Sequence, residues 1–362
     1  MRRQRKDVGG ERWRWDGILY GVLLAFSFSI ARARESSGAP MFPGATATYK
    51  SWIAAHLPGN AEGLAIDSTG TMYASLWETG GIVSIDKEGK THLIATVPNQ
   101  EMGTTGMTVG LEFGPDGYLY AAFMWHYSAA EEADPHHPAC HNSKDVYTGI
   151  YRVDVHTGAV TPFLTKKDGW PGCFPDDMAF DRKGNMYVTD LTLSGIWRIA
   201  PDGAYTLWSA DPLLQWAPDP FNASPEGAND LEIANDGNSL YVVTDGNPGI
   251  VKVPINPDGS AAPATWVARN LDVLDGVAID PDGNIYVSEI FRDEISVFSP
   301  DGSQRIVIAS PETAPIENPT SLIYRDGVLC VANMGLGLSV KKNPRNVACI
   351  SGFRRPVKRV AN

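Results

Sequence analysis

The chain has 362 residues, of which 43% are apolar and 20% are charged, a composition typical of a globular protein. Acidic residues outnumber basic ones by 42 to 30, which excludes nucleic acid as a partner because a phosphate backbone calls for a basic face. The 36 glycines and 26 prolines indicate short strands joined by turns, and a polytopic membrane protein is excluded because a single apolar run approaches membrane length.

That apolar run, Ile18–Ala31, follows a basic segment and ends in the small-residue pattern Ala31-Arg-Ala33. This order of segments is typical of a signal peptide. We therefore predict a signal peptide over residues 1–33, cleaved near Ala33, and a linker over 34–49. The protein is then secreted or periplasmic and keeps no stable membrane span. The alternatives are an uncleaved anchor or a core segment.

A repeat runs through the chain after residue 50. Each of its six units pairs two apolar, β-branched or aromatic runs around a glycine turn, which is typical of a β-hairpin. The units begin at Glu62, Val109, Asp176, Asn229, Asp275 and Thr320, and their starts are 47, 67, 53, 46 and 45 residues apart. Two further apolar runs usually follow each hairpin. Four strands at this period favour an all-β fold, a six-bladed β-propeller with four-stranded blades over residues 50–353.

The two ends of the repeat indicate how the ring closes. The sixth unit supplies three strands, and the run that begins at Ser51 resembles a fourth strand. A strand from the N-terminus would then complete the last blade and remove an open sheet edge. Residues 354–362 form a basic C-terminal tail. A barrel or a sandwich is the alternative fold, but neither explains six nearly equal units.

The first residues of the units carry the main chemical signal. In a propeller they meet at one mouth of the central channel, and four of the six bear oxygen ligands: Glu62, Asp176, Asn229 and Asp275. Converging carboxylates raise one another's pKa unless a cation neutralises them. This set suits Ca²⁺, with Mg²⁺, Mn²⁺ and Zn²⁺ as alternatives, although Zn²⁺ prefers His and Cys. The alternative role of these residues is to cap strand ends.

Other acidic residues and one asparagine accompany these four positions. The ends of the second strands add Asp190, Asp245, Glu289 and Asn333 on the same face. Asp177 and Asp230, each one residue beyond a ligand position, should turn away and buttress the site.

The sequence also allows predictions about disulfide bonds and about one long insertion. We expect Cys140 to pair with Cys173 and Cys330 with Cys349, although four cysteines allow three connectivities and free thiols are an alternative. The insertion over 125–148 is rich in histidine and acidic residues. It could form a lid or a second metal site, and a solvated loop is the plainer alternative.

The ligand quartet and the phrases around it resemble one known family. Pro175-Asp-Asp-Met-Ala-Phe-Asp, Asn229-Asp-Leu and Leu274-Asp-Gly-Val-Ala-Ile-Asp are similar to strand starts of the senescence marker protein/gluconolactonase family, which is related to diisopropyl fluorophosphatase and the paraoxonases. The resemblance covers roughly residues 50–350. It implies that Glu62, Asp176, Asn229 and Asp275 hold a catalytic divalent cation. It also implies that Asp275 acts as general base or nucleophile.

Two departures from the family bear on the substrate. Asp176 stands where the family usually has Asn, and Phe174 stands where its sugar lactonases carry Arg. Losing that guanidinium disfavours sugar lactones. We expect Phe174, Trp125 and Trp170 to contact a more apolar substrate, and His126 to shuttle a proton. For the aromatic side chains, plain packing is the alternative.

The predicted function is metal-dependent hydrolysis of a small-molecule lactone. The sequence contains no G-x-S-x-G motif, so a serine-hydrolase mechanism is not favoured. Two other functions stay open: a non-catalytic NHL-like propeller that binds a protein or a glycan, and a strictosidine-synthase-like propeller that catalyses condensation or cyclisation. Neither needs four oxygen ligands at equivalent strand starts.

Overall fold

The computed structural model describes residues 42, 49–97, 106–125, 148–216, 226–337 and 345–353. The described residues belong to one compact unit that begins at Pro40, and residues 1–39 lie outside the described residues. The predicted signal peptide, most of the linker and the C-terminal tail therefore stay predictions. In the described ranges, no helix has both the length and the apolar character needed to cross a membrane.

The described residues are organised almost entirely as β-strands. In chain order these are β1 (Lys50–His56), β2 (Ala61–Ile66), β3 (Met72–Leu76), β4 (Gly81–Ile85), β5 (Thr91–Thr96), β6 (Gly106–Phe113), β7 (Leu119–Trp125), β8 (Gly149–Asp154), β9 (Ala159–Thr165), β10 (Pro175–Phe180), β11 (Met186–Asp190), β12 (Gly195–Ile199), β13 (Tyr205–Ser209), β14 (Ala228–Ile233), β15 (Ser239–Thr244), β16 (Gly249–Pro254), β17 (Thr265–Arg269), β18 (Leu274–Ile279), β19 (Ile285–Glu289), β20 (Glu294–Phe298), β21 (Arg305–Ala309), β22 (Pro319–Arg325), β23 (Val328–Asn333) and β24 (Asn346–Ser351). Short 3-10 helices cover Lys166–Asp168 and Pro212–Leu214.

The strands form six four-stranded antiparallel sheets within the described ranges, which confirms the six-bladed propeller. Blades 1 to 5 are β2–β5, β6–β9, β10–β13, β14–β17 and β18–β21. Blade 6 has the order β22-β23-β24-β1, so the N-terminal strand is its outermost strand. In that pairing Lys50 lies opposite Ser351 and His56 opposite Asn346. The predicted closure by an N-terminal strand is therefore confirmed.

The apolar core lies between the blades. Six clusters of buried side chains occur in the described structure, and each joins the facing surfaces of two neighbouring blades. The cluster between blades 6 and 1, for example, includes Leu57, Leu64 and Val347. Successive side chains of a strand point to opposite faces of its blade, so each blade contributes to two of these clusters. The clusters together form a continuous ring of apolar packing between the blades.

Each innermost strand carries a β-bulge near its start. The register shifts between Ala61 and Leu64 in blade 1, and the same irregularity occurs in the other five innermost strands. At two of these bulges a glycine permits close contact with the next blade. A Cβ on Gly63 would collide with the carbonyl oxygen of Val109, and one on Gly276 with that of Thr320. A bulge re-aims the side chain that it contains, so these irregularities determine what faces the channel.

Candidate functional site

The four predicted ligand residues occupy equivalent places in their blades. Glu62, Asp176, Asn229 and Asp275 are each the second residue of an innermost strand. All four lie within the bulges, at the same end of the ring. We call these four residues the ring residues. Their side chains leave the sheet at a bulge and not at a regular strand position, because two residues there face one on the partner strand.

The carboxylates of the ring residues act on one another electrostatically. Burial raises the pKa of Glu62 well above its usual range, and the negative charges of Asp176 and then Asp275 raise it further. Burial followed by the charge of Asp275 does the same to the pKa of Asp176. Asp176 and Asp275 are 5% and 9% exposed. Three carboxyl groups from blades 1, 3 and 5 therefore share one weakly solvated region.

Asp275 has the smallest of these shifts. Burial is the main cause, and the charges of Asp177 and Glu226 add to it, so that its pKa rises to about 7. A carboxyl group with a pKa near neutrality can hold or release a proton at physiological pH, which a general base requires. This property agrees with the catalytic role that the sequence predicts for Asp275, although it does not test that role.

The donor set fits a hard divalent cation. The Oε2 atom of Glu62 is buried and has no hydrogen-bond partner among the described residues. The side chains around it offer carboxylate and amide oxygens, the ligands that Ca²⁺ prefers. In the described ranges, no three His, Cys, Asp or Glu side chains are gathered tightly enough to hold an ion as they stand. An ion would have to draw the carboxylates together, with Asn229 and water completing its shell.

Hydroxyl groups on the first and second strands link the starts of neighbouring blades. Ser75 accepts a hydrogen bond from Gly63 N at 2.7 Å and donates one to the carbonyl oxygen of Val109 at 2.8 Å. Thr320 Oγ1 donates to the carbonyl oxygen of Glu62 at 2.8 Å, across the closing junction of the ring. The bulges that carry the ring residues are thus bonded from one blade to the next.

The acidic residues and the asparagine that were expected near the site have different partners. Asp230 accepts a hydrogen bond from Val277 N of the next blade at 2.9 Å, as a buttress would. Asp245 accepts one from Asn229 Nδ2 at 3.2 Å. Asp190 accepts from the backbone of Cys173, Phe174 and Leu193 and from the indole of Trp197. Glu289 accepts from Ser296 and Arg305, and Asn333 accepts from Glu317 N.

Sequence reasoning missed two residues at the mouth. Glu226 lies in the loop before β14, and its charge raises the pKa of both Asp176 and Asp275. Its only sequence signal is its position three residues before Asn229. Trp77 follows β3 directly, donates its backbone N–H to the carbonyl oxygen of Asn60, and packs against the cluster between blades 2 and 3, as Phe174 does. It comes after the repeated hairpin pattern, so the repeat does not mark it.

The predicted substrate contacts fall in different environments. Phe174 is half-buried and packs against the cluster between blades 2 and 3. Trp170 is 1% exposed and packs edge-to-face on Trp197, with ring centroids 5.8 Å apart. It is therefore part of the buried cluster between blades 2 and 3. The side chain of Trp125 and all of His126 lie outside the described residues. Substrate contact stays a prediction for Phe174, Trp125 and Trp170, and so does the proton-shuttle role of His126.

The described cysteines are all disulfide-bonded. Cys330 on β23 and Cys349 on β24 form one bridge, as predicted. Cys173 is also disulfide-bonded, and its predicted partner Cys140 lies outside the described residues.

A groove lies on the opposite face of the ring. It has a volume of about 850 Å³ and is lined by turns and strands of blades 1 and 6, including Asp86, Trp52 and Arg325. Asp86 uses its carboxylate to cap its own turn through the N–H groups of Glu88 and Lys90. We therefore place the candidate site at the ring residues and not at this groove. Buried carboxylates with shifted pKa values indicate a functional site more strongly than the volume of a groove does.

Solved structures of known proteins share the fold. A gluconolactonase from Xanthomonas campestris is 14% identical, with a TM-score of 0.60 over 84% of this chain and 89% of that one. Regucalcin from Agrobacterium tumefaciens, described as a calcium-binding protein, is 15% identical, with a TM-score of 0.60 over 84% and 94%. A PQQ-bound aldose sugar dehydrogenase from Streptomyces coelicolor is 16% identical, with a TM-score of 0.57 over 86% and 99%. These proteins differ in the activities that their descriptions give. The structural similarity therefore shows the fold and not the function.

Sequence comparison is more specific. Among curated protein sequences, no significant match to the chain was found. The family model described as "SMP-30/Gluconolactonase/LRE-like region" matches residues 145–327, a little over half of the chain. This stretch contains Asp176, Asn229 and Asp275 in their repeat positions. The chain therefore belongs to the SMP-30/gluconolactonase/LRE-like family.

Proposed function

We propose that the protein hydrolyses a lactone at a divalent cation held by Glu62, Asp176, Asn229 and Asp275, with Ca²⁺ as the preferred ion. One observation carries this proposal: carboxyl groups from three blades are buried in one region, where each raises the pKa of another. Their burial is costly unless a positive charge compensates it.

The chemistry that a bound divalent cation supplies is polarisation of the ester carbonyl and stabilisation of the charge that develops on its oxygen. Asp275 accepts the proton of the attacking water at a carboxylate oxygen, or attacks the carbonyl carbon itself. Glu62, Asp176 and Asn229 would hold the cation through their side-chain oxygens. Phe174 and Trp77 exclude water on one side of the mouth.

The apolar side of the mouth supports a substrate with an apolar part. Phe174 and Trp77 each pack against the cluster between blades 2 and 3, on the side of the mouth away from Asp275 in blade 5. We therefore propose γ- and δ-lactones with an alkyl substituent in preference to sugar lactones.

The test is a panel of alkyl and sugar lactones assayed with the full-length protein, first after chelation and then with added CaCl₂, MgCl₂ or MnCl₂. We expect turnover of alkyl lactones that chelation removes and Ca²⁺ restores. Asp275→Asn and Glu62→Gln should reduce kcat/KM at least about 100-fold, the scale for loss of a catalytic group. Asp326→Asn is the matched control, because that carboxylate is solvent-exposed and the substitution removes the same charge. Absence of turnover under all conditions, together with no calorimetric Ca²⁺ binding, refutes the proposal.

A single turnover in H₂¹⁸O separates the two roles of Asp275. If Asp275 is the base, the label enters the product directly. If it is the nucleophile, the label enters the Asp275 carboxylate and is found in the peptide that contains it.

We also propose that the protein is exported. The Cys330–Cys349 bridge and the bonded state of Cys173 support this, because disulfides persist in oxidising compartments.

A further inference from the structure

The side-chain amide of Asn229 is held by a carboxylate of its own blade. Nδ2 of Asn229 donates a hydrogen bond to Oδ1 of Asp245 at 3.2 Å, and both residues are 7% exposed. In this contact the amide nitrogen is the donor and a carboxyl oxygen of Asp245 is the acceptor. The amide oxygen is therefore directed to the other side of the group.

Asp245 is itself fixed by the backbone around it. It follows β15 directly, and its N–H donates to the carbonyl oxygen of Gly227 at 3.0 Å. The next residue, Gly246, donates to the carbonyl oxygen of Glu226 at 2.8 Å. A Cβ on Gly227 would collide with Ser194, so that segment has little room to shift. The carboxylate thus meets Asn229 from a rigid position.

This contact differs from those at equivalent places in the other blades. The carboxylate of Asp190 accepts hydrogen bonds from the backbone N–H groups of Cys173 and Phe174 and from the indole of Trp197. Asn333 uses its side-chain oxygen for Glu317 N. Asp245 instead binds the side chain of a ring residue, the one ring residue whose two terminal atoms differ chemically.

We propose that Asp245 is a positioning residue that holds the amide of Asn229 with Oδ1 toward the channel. The torsion that turns an amide end over end is soft, and without a partner both orientations are accessible. One orientation offers oxygen to a cation and the other offers N–H groups, which repel it. The consequence for cation affinity rests on the proposed function.

Two substitutions at Asp245 separate positioning from charge. Asp245→Asn removes the charge but keeps an oxygen that can accept from Asn229 Nδ2, whereas Asp245→Leu removes both. Calcium titration of the full-length protein by calorimetry should show about 10- to 100-fold weaker binding in Asp245→Leu, the usual effect of losing a partner of a metal ligand. Binding in Asp245→Asn should be largely retained. Equal losses in the two variants, or no loss in either, overturn the proposal.

A second background sharpens the test. In Asn229→Asp both terminal atoms are oxygens, so orientation no longer matters. Adding Asp245→Leu to Asn229→Asp should then cost little affinity. A loss as large as in the natural background contradicts the proposal.

A measurement without metal keeps this inference separate from the proposed function. In chelated, ¹⁵N-asparagine-labelled protein, the side-chain amide signal of Asn229 is identified by its absence in Asn229→Asp. Its protons should exchange slowly with solvent in the natural protein and in Asp245→Asn, and rapidly in Asp245→Leu. If the natural protein binds no cation, the proposed function fails and this exchange alone decides the inference. Equal exchange rates in all three proteins overturn it.

Discussion

The hydroxyl of Ser288 in blade 5 donates a hydrogen bond to the carbonyl oxygen of Thr320 in blade 6 at 2.8 Å. The same hydroxyl accepts from Gly276 N at 2.6 Å, one residue beyond Asp275. Both hydrogen bonds are buried. A single small side chain therefore links the bulge that carries a candidate catalytic residue to the next blade.

Ser288→Ala should lower both stability and the precision of the site. The substitution leaves a buried N–H and a buried carbonyl group without this partner, so we expect a loss of about 2 kcal/mol in the free energy of unfolding. Chemical denaturation measures it. Ser288→Thr is the control, since Thr189 Oγ1 accepts from Asp177 N at 3.0 Å in blade 3. Equal stability of Ser288→Ala and the natural protein contradicts the structural role.

Stability without metal should fall as the pH rises from about 4 to 7. Burial and the charges of Asp177 and Glu226 raise the pKa of Asp275 to about 7, from an ordinary 3.8. The folded state then binds more protons than the unfolded chain between these values, so stability is lost as the pH rises through that window. The loss is about 1.4 kcal/mol for each pH unit over which Asp275 stays protonated only in the folded state.

Thermal unfolding in a chelator across this pH range measures the effect. Added CaCl₂ should flatten the dependence, because a cation binds the ionised carboxylates. A melting temperature that rises from pH 4 to 7 in chelator would show that the ring carboxylates are not buried together.

Removing the Cys330–Cys349 bridge should destabilise blade 6. The bridge joins β23 to β24 with a sequence separation of 19. A loop of this size corresponds to about 3 kcal/mol of stabilisation in the chain-entropy description. We expect Cys330→Ala/Cys349→Ala to lower the free energy of unfolding by that order. Adding a reductant to this double variant measures the remaining contribution of Cys173, and an unchanged stability of the variant argues against a structural role for the bridge.

Phe174→Arg should shift substrate preference. Phe174 is half-buried on the apolar side of the mouth, where the sugar lactonases that this chain resembles carry Arg. A guanidinium donates hydrogen bonds to sugar hydroxyls, whereas a phenyl ring favours alkyl groups. We expect kcat/KM for alkyl lactones to fall about 10-fold relative to that for sugar lactones, the scale for losing apolar contact in a pocket. An unchanged ratio places Phe174 outside the substrate path.

Export should remove residues 1–33. Expression of the full-length chain in a secreting host, followed by intact-mass measurement of the exported protein, should give a mature chain that begins at Arg34. Ala31→Lys/Ala33→Lys should block cleavage, since the peptidase site needs small residues at these positions. Retention of the whole chain inside the cell contradicts the prediction.

The features of this protein that depend on local sequence patterns could be predicted from the sequence. The turn glycines, the hairpins, the strand that closes the ring and the equivalence of Glu62, Asp176, Asn229 and Asp275 all follow from a repeat with short-range patterns. Such patterns are legible because strand alternation and turn chemistry depend on neighbours in the chain. The Cys330–Cys349 pairing was predicted for the same reason, since its strands are adjacent along the chain.

The remaining features depend on contacts between distant segments. Glu226 reaches the mouth from a loop with no repeat pattern, and Trp170 is buried because blades 2 and 3 close over it. The sequence by itself determined the number of blades and which residues begin them. Only the tertiary structure decided that Asp245 holds Asn229 and that Ser288 bonds to Thr320, because hydrogen-bond partners are selected by packing in space and not by spacing along the chain.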